Sequence, residues 1–519
     1  MLTHRKSLTY FLFLTHLLFT AGANASARTD AVAKGNNKIP WRIESKARAF
    51  MANLTNGGFE VSRGYFKLWD KEDCDYAYAH IGMCGNNPAA PYVIATVPPW
   101  KDEFVDPAFA NTWSQSKDGF NDIYRLDPHE AIVIMGQLPP PGAFFSEQTW
   151  IFSRQGAYDP KNPRYQDVTN SRLHDFTSVF FKQLSQNRAL TFASLSNPNN
   201  NVVIEKQSGA SYGQMRYFVI TPDKHMDQAV RNMLADLAIP AQEIFTEAIP
   251  SDMKVGLSEA SDDFTTFIRY AHPDDGGQPG TPSYAWRTNP PLVVLRIREK
   301  APQQAPETYP PVAYENRTAV DEHNLKEDLS SLMAAVSRKW GQPCTNTDCS
   351  DRAENFIDLQ RDPIWMVGSL CLSFMENCIG DNWDATYHIH PPLPIDNDEI
   401  YAVAGTLGTK TGNATYVSLG MNQIPMIKGV LDISDKELEG SANEYSTEVN
   451  NTDKLYLYYV SRNCSGLEQL TKGRCLELSM IPQGSRVAFV QRNYIKPGTQ
   501  RGPDSALILP PMAVKLQRP

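Results

Sequence analysis

Eight cysteines in four close pairs constrain this chain more than any other feature of its sequence: Cys74 and Cys84, Cys344 and Cys349, Cys371 and Cys378, Cys464 and Cys475. Structural disulfides persist in oxidising compartments. The N-terminus supplies the route to one. In "MLTHRKSLTYFLFLTHLLFTAGANASARTD", Arg5 and Lys6 form a positive start, and Leu8 to Ala21 a mostly apolar run. Ala23 and Ala25 then stand as an A-x-A cleavage site. Residues 1–25 read as a signal peptide. The alternative is an uncleaved anchor, but the run is short for a bilayer and His16 interrupts it. The expected location is secreted or periplasmic. A zinc site at Cys344, Cys349, Cys371 and Cys378 is the rival to disulfides. Its spacings, C-x4-C and C-x6-C, are not the tight C-x2-C of common zinc knuckles. Four neighbour-paired bridges are expected, among the many connectivities that eight cysteines allow.

A chain of 519 residues is long for one core, so two domains are expected. Its net charge of −9 and lack of Lys/Arg runs argue against a general nucleic-acid binder. No segment after the signal peptide is apolar enough to span a membrane. Sequons at Asn53, Asn316, Asn413, Asn450 and Asn463 matter only if the source glycosylates its exports.

Residues 50–215 carry short apolar runs, such as "EAIVIMG" and "ALTFASL", between Gly, Pro and Asn clusters, and read as strands. Tyr217 to Thr221 reads as another. Met226, Val230, Met233, Leu234 and Leu237 then repeat at helical spacing until Pro240, which predicts a small βαβ-type insertion. "DDFTTFIRYA" and "PPLVVLRIRE" are further strands. Residues 298–318 hold four prolines and little apolar content, and read as a linker. This divides the chain into an N-terminal β-rich domain with an α+β unit (26–297) and a C-terminal β-rich domain (319–519). Leu325, Leu329, Leu332, Met333 and Val336 predict a helix at the start of the second. The halves share a pattern. "EAIVIMGQLPPPGAFFS" and "EIYAVAGTLGTKTGNATYVS" each run Glu, then Gly six positions later (Gly136, Gly405), then Leu two beyond (Leu138, Leu407). The fold class expected is β-rich α+β, two strand-rich domains built on a duplicated β-sandwich-like module. Chance recurrence of strand–turn–strand is the alternative.

The segments "DPHEAIVIMGQLPPPGAFFS", "IGDNWDATY" and "DEIYAVAGTLGTKTGNATYVS", with the late "YLYYVSRNCSG" and "RNYIKPGTQRGP", resemble a family of large exported, uncharacterised β-rich proteins. The resemblance spans much of residues 60–510. It implies export and a β-rich fold, and no activity.

Two motifs match catalytic signatures in the wrong setting. "GASYG", residues 209–213, fits G-x-S-x-G, whose serine sits between a strand and a helix. Here strand-like "NVVIEK" precedes it and strand-like "QMRYFVIT" follows, so Ser211 reads as a hairpin-turn residue. "YAHPDDGG", residues 270–277, resembles the signature of zinc-dependent N-deacetylases but lacks the early βαβ context, and Pro-Asp-Asp-Gly-Gly is also an ordinary turn.

"GDNWDATYHIHPPLPIDNDE", residues 380–399, is the densest ionisable cluster. As a strand, 384–390 would put Ala385, Tyr387 and Ile389 on an apolar face and Asp384, Thr386, His388 and His390 on the other. Asp384, His388 and His390 are the candidate ligands of a divalent metal such as zinc, and with Asp381 the candidate catalytic residues. Asp396, Asp398 and Glu399 form an acidic loop suited to calcium. The plainer alternative is a solvated polar face and a solvated loop. Two function classes remain: a secreted hydrolase with its site near residues 381–390, and a non-catalytic binding or surface protein that recognises glycan or protein.

Overall fold

The computed structural model describes residues 39–518 apart from 70–72, 108–109, 196, 313–315, 343–353 and 362–363. The proposed signal peptide and the Cys344/Cys349 pair lie outside the described residues. Cys74–Cys84, Cys371–Cys378 and Cys464–Cys475 are disulfides, paired as neighbours. Among the described residues, no helix is long and apolar enough to cross a membrane.

Four sheets carry the fold, and they form two copies of one module. In the first copy, the strands Phe59–Arg63, Leu292–Glu299, Glu130–Gln137, Met215–Thr221 and Ile244–Ala248 lie side by side in that order. In the second, Glu354–Asn355, Met512–Gln517, Glu399–Thr406, Leu455–Ser461 and Cys475–Glu477 take the same order. In both sheets the last pair is parallel and the others are antiparallel. The strands that begin at Glu130 and Glu399 occupy the same central place, so the Gly136/Gly405 correspondence marks a duplication.

Each module has a second sheet. Its core in the first module is Tyr65–Trp69, Tyr92–Thr96, Asp263–Pro273, Gly142–Gln155 and Arg188–Ser194. The matching order in the second is Ile357–Asp358, Ala385–Ile389, Arg486–Tyr494, Tyr416–Ile424 and Lys428–Ser434. Within a module the sheets pack face to face. Val403, Tyr456 and Val460 of one sheet meet Leu419, Met421 and Phe489 of the other. Helices cover the outer faces. Trp41–Asn56 and Lys224–Ala235 pack on Val133, Met135 and Leu295, and Lys326–Lys339 packs on Ala402 and Leu457. The expected βαβ unit is present as Met215–Thr221, Lys224–Ala235 and Ile244–Ala248, with its strands built into the first sheet.

Three local expectations change. "NVVIEK" is helical, Asn201–Ser208, because the Asn200 side chain accepts from Val202 N and Val203 N and so caps a helix that β-branched residues would not choose. Ser211 therefore follows a helix rather than a strand, and its hydroxyl donates to Glu205. The polar face of Ala385–Ile389 is not solvated, since this sheet is covered on both sides: Asp384, Thr386, His388 and His390 are all buried. Asp396 and Asp398 are exposed, while Glu399 accepts from Asp396 N and pairs with Lys515. Of the five sequons, Asn413 is fully buried, with its side chain bonded to Val320 and Glu322.

Glu147 lies buried inside the first module, accepting from Asn199. Burial, reinforced by the Glu247 carboxylate, pushes its carboxyl well above the usual 4.5. The folded chain then keeps a proton that the unfolded chain releases. The associated stability is present at low pH and is lost as pH rises from the ordinary carboxylate range through the raised value. Glu147→Gln keeps an acceptor for Asn199 and should flatten this loss, measured as melting temperature between pH 4 and pH 8. An unchanged pH profile would contradict the assignment.

Candidate functional site

From the Cys371–Cys378 bridge into the Ala385–Ile389 strand runs "GDNWDATYHI", residues 380–389; from Cys84 into the Tyr92–Thr96 strand runs "GNNPAAPYVI", residues 85–94. They are two copies of one segment. Gly85 and Gly380 both take a left-handed conformation, φ 76° and 67°. Each copy reaches across to the opposite module. Cys84 N and Gly85 N donate to Met426 O and Ile427 O, at 2.7 and 3.0 Å. Cys378 N and Gly380 N donate to Thr191 O and Phe192 O, both at 2.8 Å. The acceptors Ile427 and Phe192 share a positive φ. The next side chain continues the pattern. Asn86 accepts from Gly429 N at 2.7 Å and donates to Gly429 O at 3.0 Å. Asp381 accepts from Ser194 N at 2.7 Å, from Ser194 Oγ at 2.6 Å and from Gly368 N at 3.1 Å. The modules are thus clasped by two equivalent, disulfide-stapled arms.

The clasp brings the second sheets of the two modules face to face, around a cavity with about 90 Å³ of room for the centres of water-sized molecules. Phe176, Phe180, Phe192, Phe267, Ile389 and Val490 give it an apolar wall. Its polar wall repeats a cross-strand row. In the first module Arg269 stands opposite Tyr92 on one side and Ser146 on the other. In the second, Arg492 stands opposite Tyr387 and Ser418. Both arginines and both tyrosines line the cavity, with Tyr494, Asn422 and Asp381.

The residues singled out in the sequence divide between two places. Asp381 borders the cavity, and burial pushes its carboxyl up to about 6 against its hydrogen bonds from Ser194 and Gly368. Asp384 is fully buried at the module interface. It accepts from Asn200 at 2.6 Å and pairs with Arg269 at 3.1 Å. Burial pushes it up as well, and Arg269 opposes the shift. His388 and His390 point the other way. Burial lowers the His388 pKa, and neither ring nitrogen has a hydrogen-bond partner. His390 Nδ1 is 2.7 Å from Pro391 O, and its ring meets Phe356 and Phe489. The structure brings Asp381, Tyr387 and Ile389 to one cavity and keeps the histidines away from it. Among the described residues, no group of three or more His, Cys, Asp or Glu side chains is placed to hold a metal ion. In "YAHPDDGG", His272 Nε2 lies 3.2 Å from Asp432 of the second module, and Asp275 accepts from Ser283 N and Gly277 N.

Sequence reasoning missed Arg269, Arg492, Tyr92, Tyr494 and Asn422. The usable signal was the recurrence G-[N/D]-N-x-x-A-x-Y-x-I at Gly85 and Gly380, which locates Tyr92 and Tyr387.

No family model matches this chain, and no curated protein matches it. Among solved structures it is similar to an uncharacterised protein from Burkholderia cenocepacia, at 9% identity and a TM-score of 0.35, covering 96% of this chain and 98% of that one. It is also similar to the VPA0106 protein from Vibrio parahaemolyticus, at 9% identity and a TM-score of 0.32, covering 86% and 99%. Likeness at that level carries nothing about function.

Proposed function

We propose that this is an exported, disulfide-stapled binding protein whose ligand is a small, largely apolar molecule held between the two modules. The observation that carries the reading is the aromatic-walled cavity where the duplicated sheets meet. Pockets at module interfaces, apolar with a few convergent polar groups, are the usual ligand sites. Its volume would take roughly six to nine waters, and so an organic molecule of about ten non-hydrogen atoms. An internal site of that size suits a small molecule better than a glycan or a protein. Titration calorimetry with 3-phenylpropionamide should show saturable binding at a single site. Val490→Phe, which fills the cavity from its wall, should abolish it. Equal binding by that variant would contradict the reading.

A hydrolase with its site at residues 381–390 is the second reading, and Asp381 favours it. A buried carboxyl raised toward neutral pH on a cavity wall suits a general acid or base. Turnover of small phenyl esters by the protein, abolished in Asp381→Asn, would move the balance to catalysis.

A further inference from the structure

We infer that the ligand is an organic anion, an apolar body with a carboxylate head, and that Arg492 with Asn422 holds the head. The inference rests on the cavity being the ligand site. Two arginines that duplication made equivalent differ in their partners.

Arg269 is held as a structural cation through Nη2, although its Nε is buried without a partner. Its Nη2 donates to Ser146 Oγ at 3.0 Å, to Gln148 Oε1 at 2.9 Å and to Asp384 Oδ2 at 3.1 Å. The strand register gives the counterpart of each acceptor at Arg492. Ser146 becomes Ser418, opposite Arg492 as Ser146 is opposite Arg269. Gln148, two residues further along, becomes Gly420. Asp384, three residues before Tyr387, becomes Ala89, three residues before Tyr92. The amide acceptor and the carboxylate are both gone. Gly420 also makes room: a Cβ there would lie 2.6 Å from Arg492 Nη1, so the guanidinium lies over the glycine.

The result is a buried cation with an open hydrogen-bonding position. The Arg492 side chain is 9% exposed, and its Nη1 has no hydrogen-bond partner. The nearest carboxylate, Asp432, stands 3.8 Å away, beyond hydrogen-bond reach, and its other oxygen faces His272. Two residues along the strand from Gly420, Asn422 lines the same cavity, and its Nδ2 is buried without a partner. Buried donors without acceptors are costly, and a carboxylate placed between these two would satisfy both. The phenylalanine wall fixes the rest of the ligand as apolar. A neutral acceptor would satisfy the hydrogen bonds but leave the Arg492 charge without a hydrogen-bonded counter-ion, and a cation would add like charge beside it.

Calorimetry on the full purified chain at pH 7.5 tests this with three probes of one shape: 3-phenylpropionate, 3-phenylpropionamide and 3-phenylpropylamine. The carboxylate should bind about tenfold or more tighter than the amide, the margin expected of a charge-assisted hydrogen bond, and the amine should bind weakest. Arg492→Met should bring the carboxylate down to the affinity of the amide while the amide keeps its own. Gly420→Gln, which rebuilds the acceptor found beside Arg269, should act in the same direction and keeps the test decisive if Arg492→Met does not fold. Amide binding as tight as carboxylate binding, or a carboxylate preference unmoved by a folded variant, would overturn the anion inference and leave the cavity reading standing. Absence of binding by all three probes would overturn both.

Discussion

Asp384→Ala should lower the stability of the folded chain by about 3–5 kcal/mol, because it leaves a buried arginine without its carboxylate. Arg269 and Asp384 come from different modules, and their side chains are 5% and 0% exposed. Removing the aspartate also strips Asn200 Nδ2 of its 2.6 Å acceptor and leaves it Gln500 O at 3.0 Å. The remaining acceptors of Arg269, Ser146 and Gln148, are neutral. The loss should appear as a lower urea midpoint with an unchanged slope. A change under about 1 kcal/mol, the size expected of a solvent-exposed pair, would mean that the two side chains are not buried together.

The second large effect is a contrast between copies of one ion pair. Glu130 and Glu399 open equivalent strands. Arg296 stands opposite Ile132, and Lys515 opposite Tyr401, two residues past each glutamate. In the first module the pair is sealed. Arg296 bonds Glu130 at 2.6 Å and Glu103 at 2.7 Å, and both the arginine and Glu130 are fully buried. Its guanidinium also lies over the Trp100 ring. In the second module Lys515 is 54% exposed. Glu130→Ala should therefore cost about 3–5 kcal/mol, since it leaves Arg296 undercompensated in the core. Glu399→Ala should cost about 1 kcal/mol or less. Chemical denaturation of the two variants side by side checks the ratio. Equal losses would show that burial does not separate the two copies.

These pairs also show what the sequence could and could not reveal. The duplication was legible at Glu130 and Glu399 because Glu, Gly and Leu keep their spacing within one continuous stretch. It was harder to see at Gly85 and Gly380. There Asn86, Ala89 and Val93 in one copy face Asp381, Asp384 and His388 in the other. Those three changes gave the second copy the look of a metal cluster and hid its relation to the first. The amphipathic pattern was right that Ala385, Tyr387 and Ile389 share a face, but Asp384, just before the strand, turns to Arg269 at the module interface instead of lying with His388 and His390. Periodicity along one strand cannot tell whether the polar face meets water or another sheet, and here it meets a sheet. The cavity was not legible at all. Arg269 faces Tyr92 and Ser146 through pairings that span more than a hundred residues of sequence, and no local window contains them. The difference between Arg269 and Arg492 becomes visible only when two registers are compared.

The central claim is that two copies of one module enclose a ligand site in which duplication left one arginine without a hydrogen-bonded carboxylate, and so open to an anion. Crystal structures of the protein grown with and without 3-phenylpropionate test it most directly. The account predicts the phenyl ring against the phenylalanine wall, and the carboxylate within hydrogen-bond distance of Arg492 and Asn422. Arg269 should stay on Asp384 in both crystals. A cavity closed by direct hydrogen bonding of Arg492 to Asp432, with the probe bound elsewhere or nowhere, would contradict it.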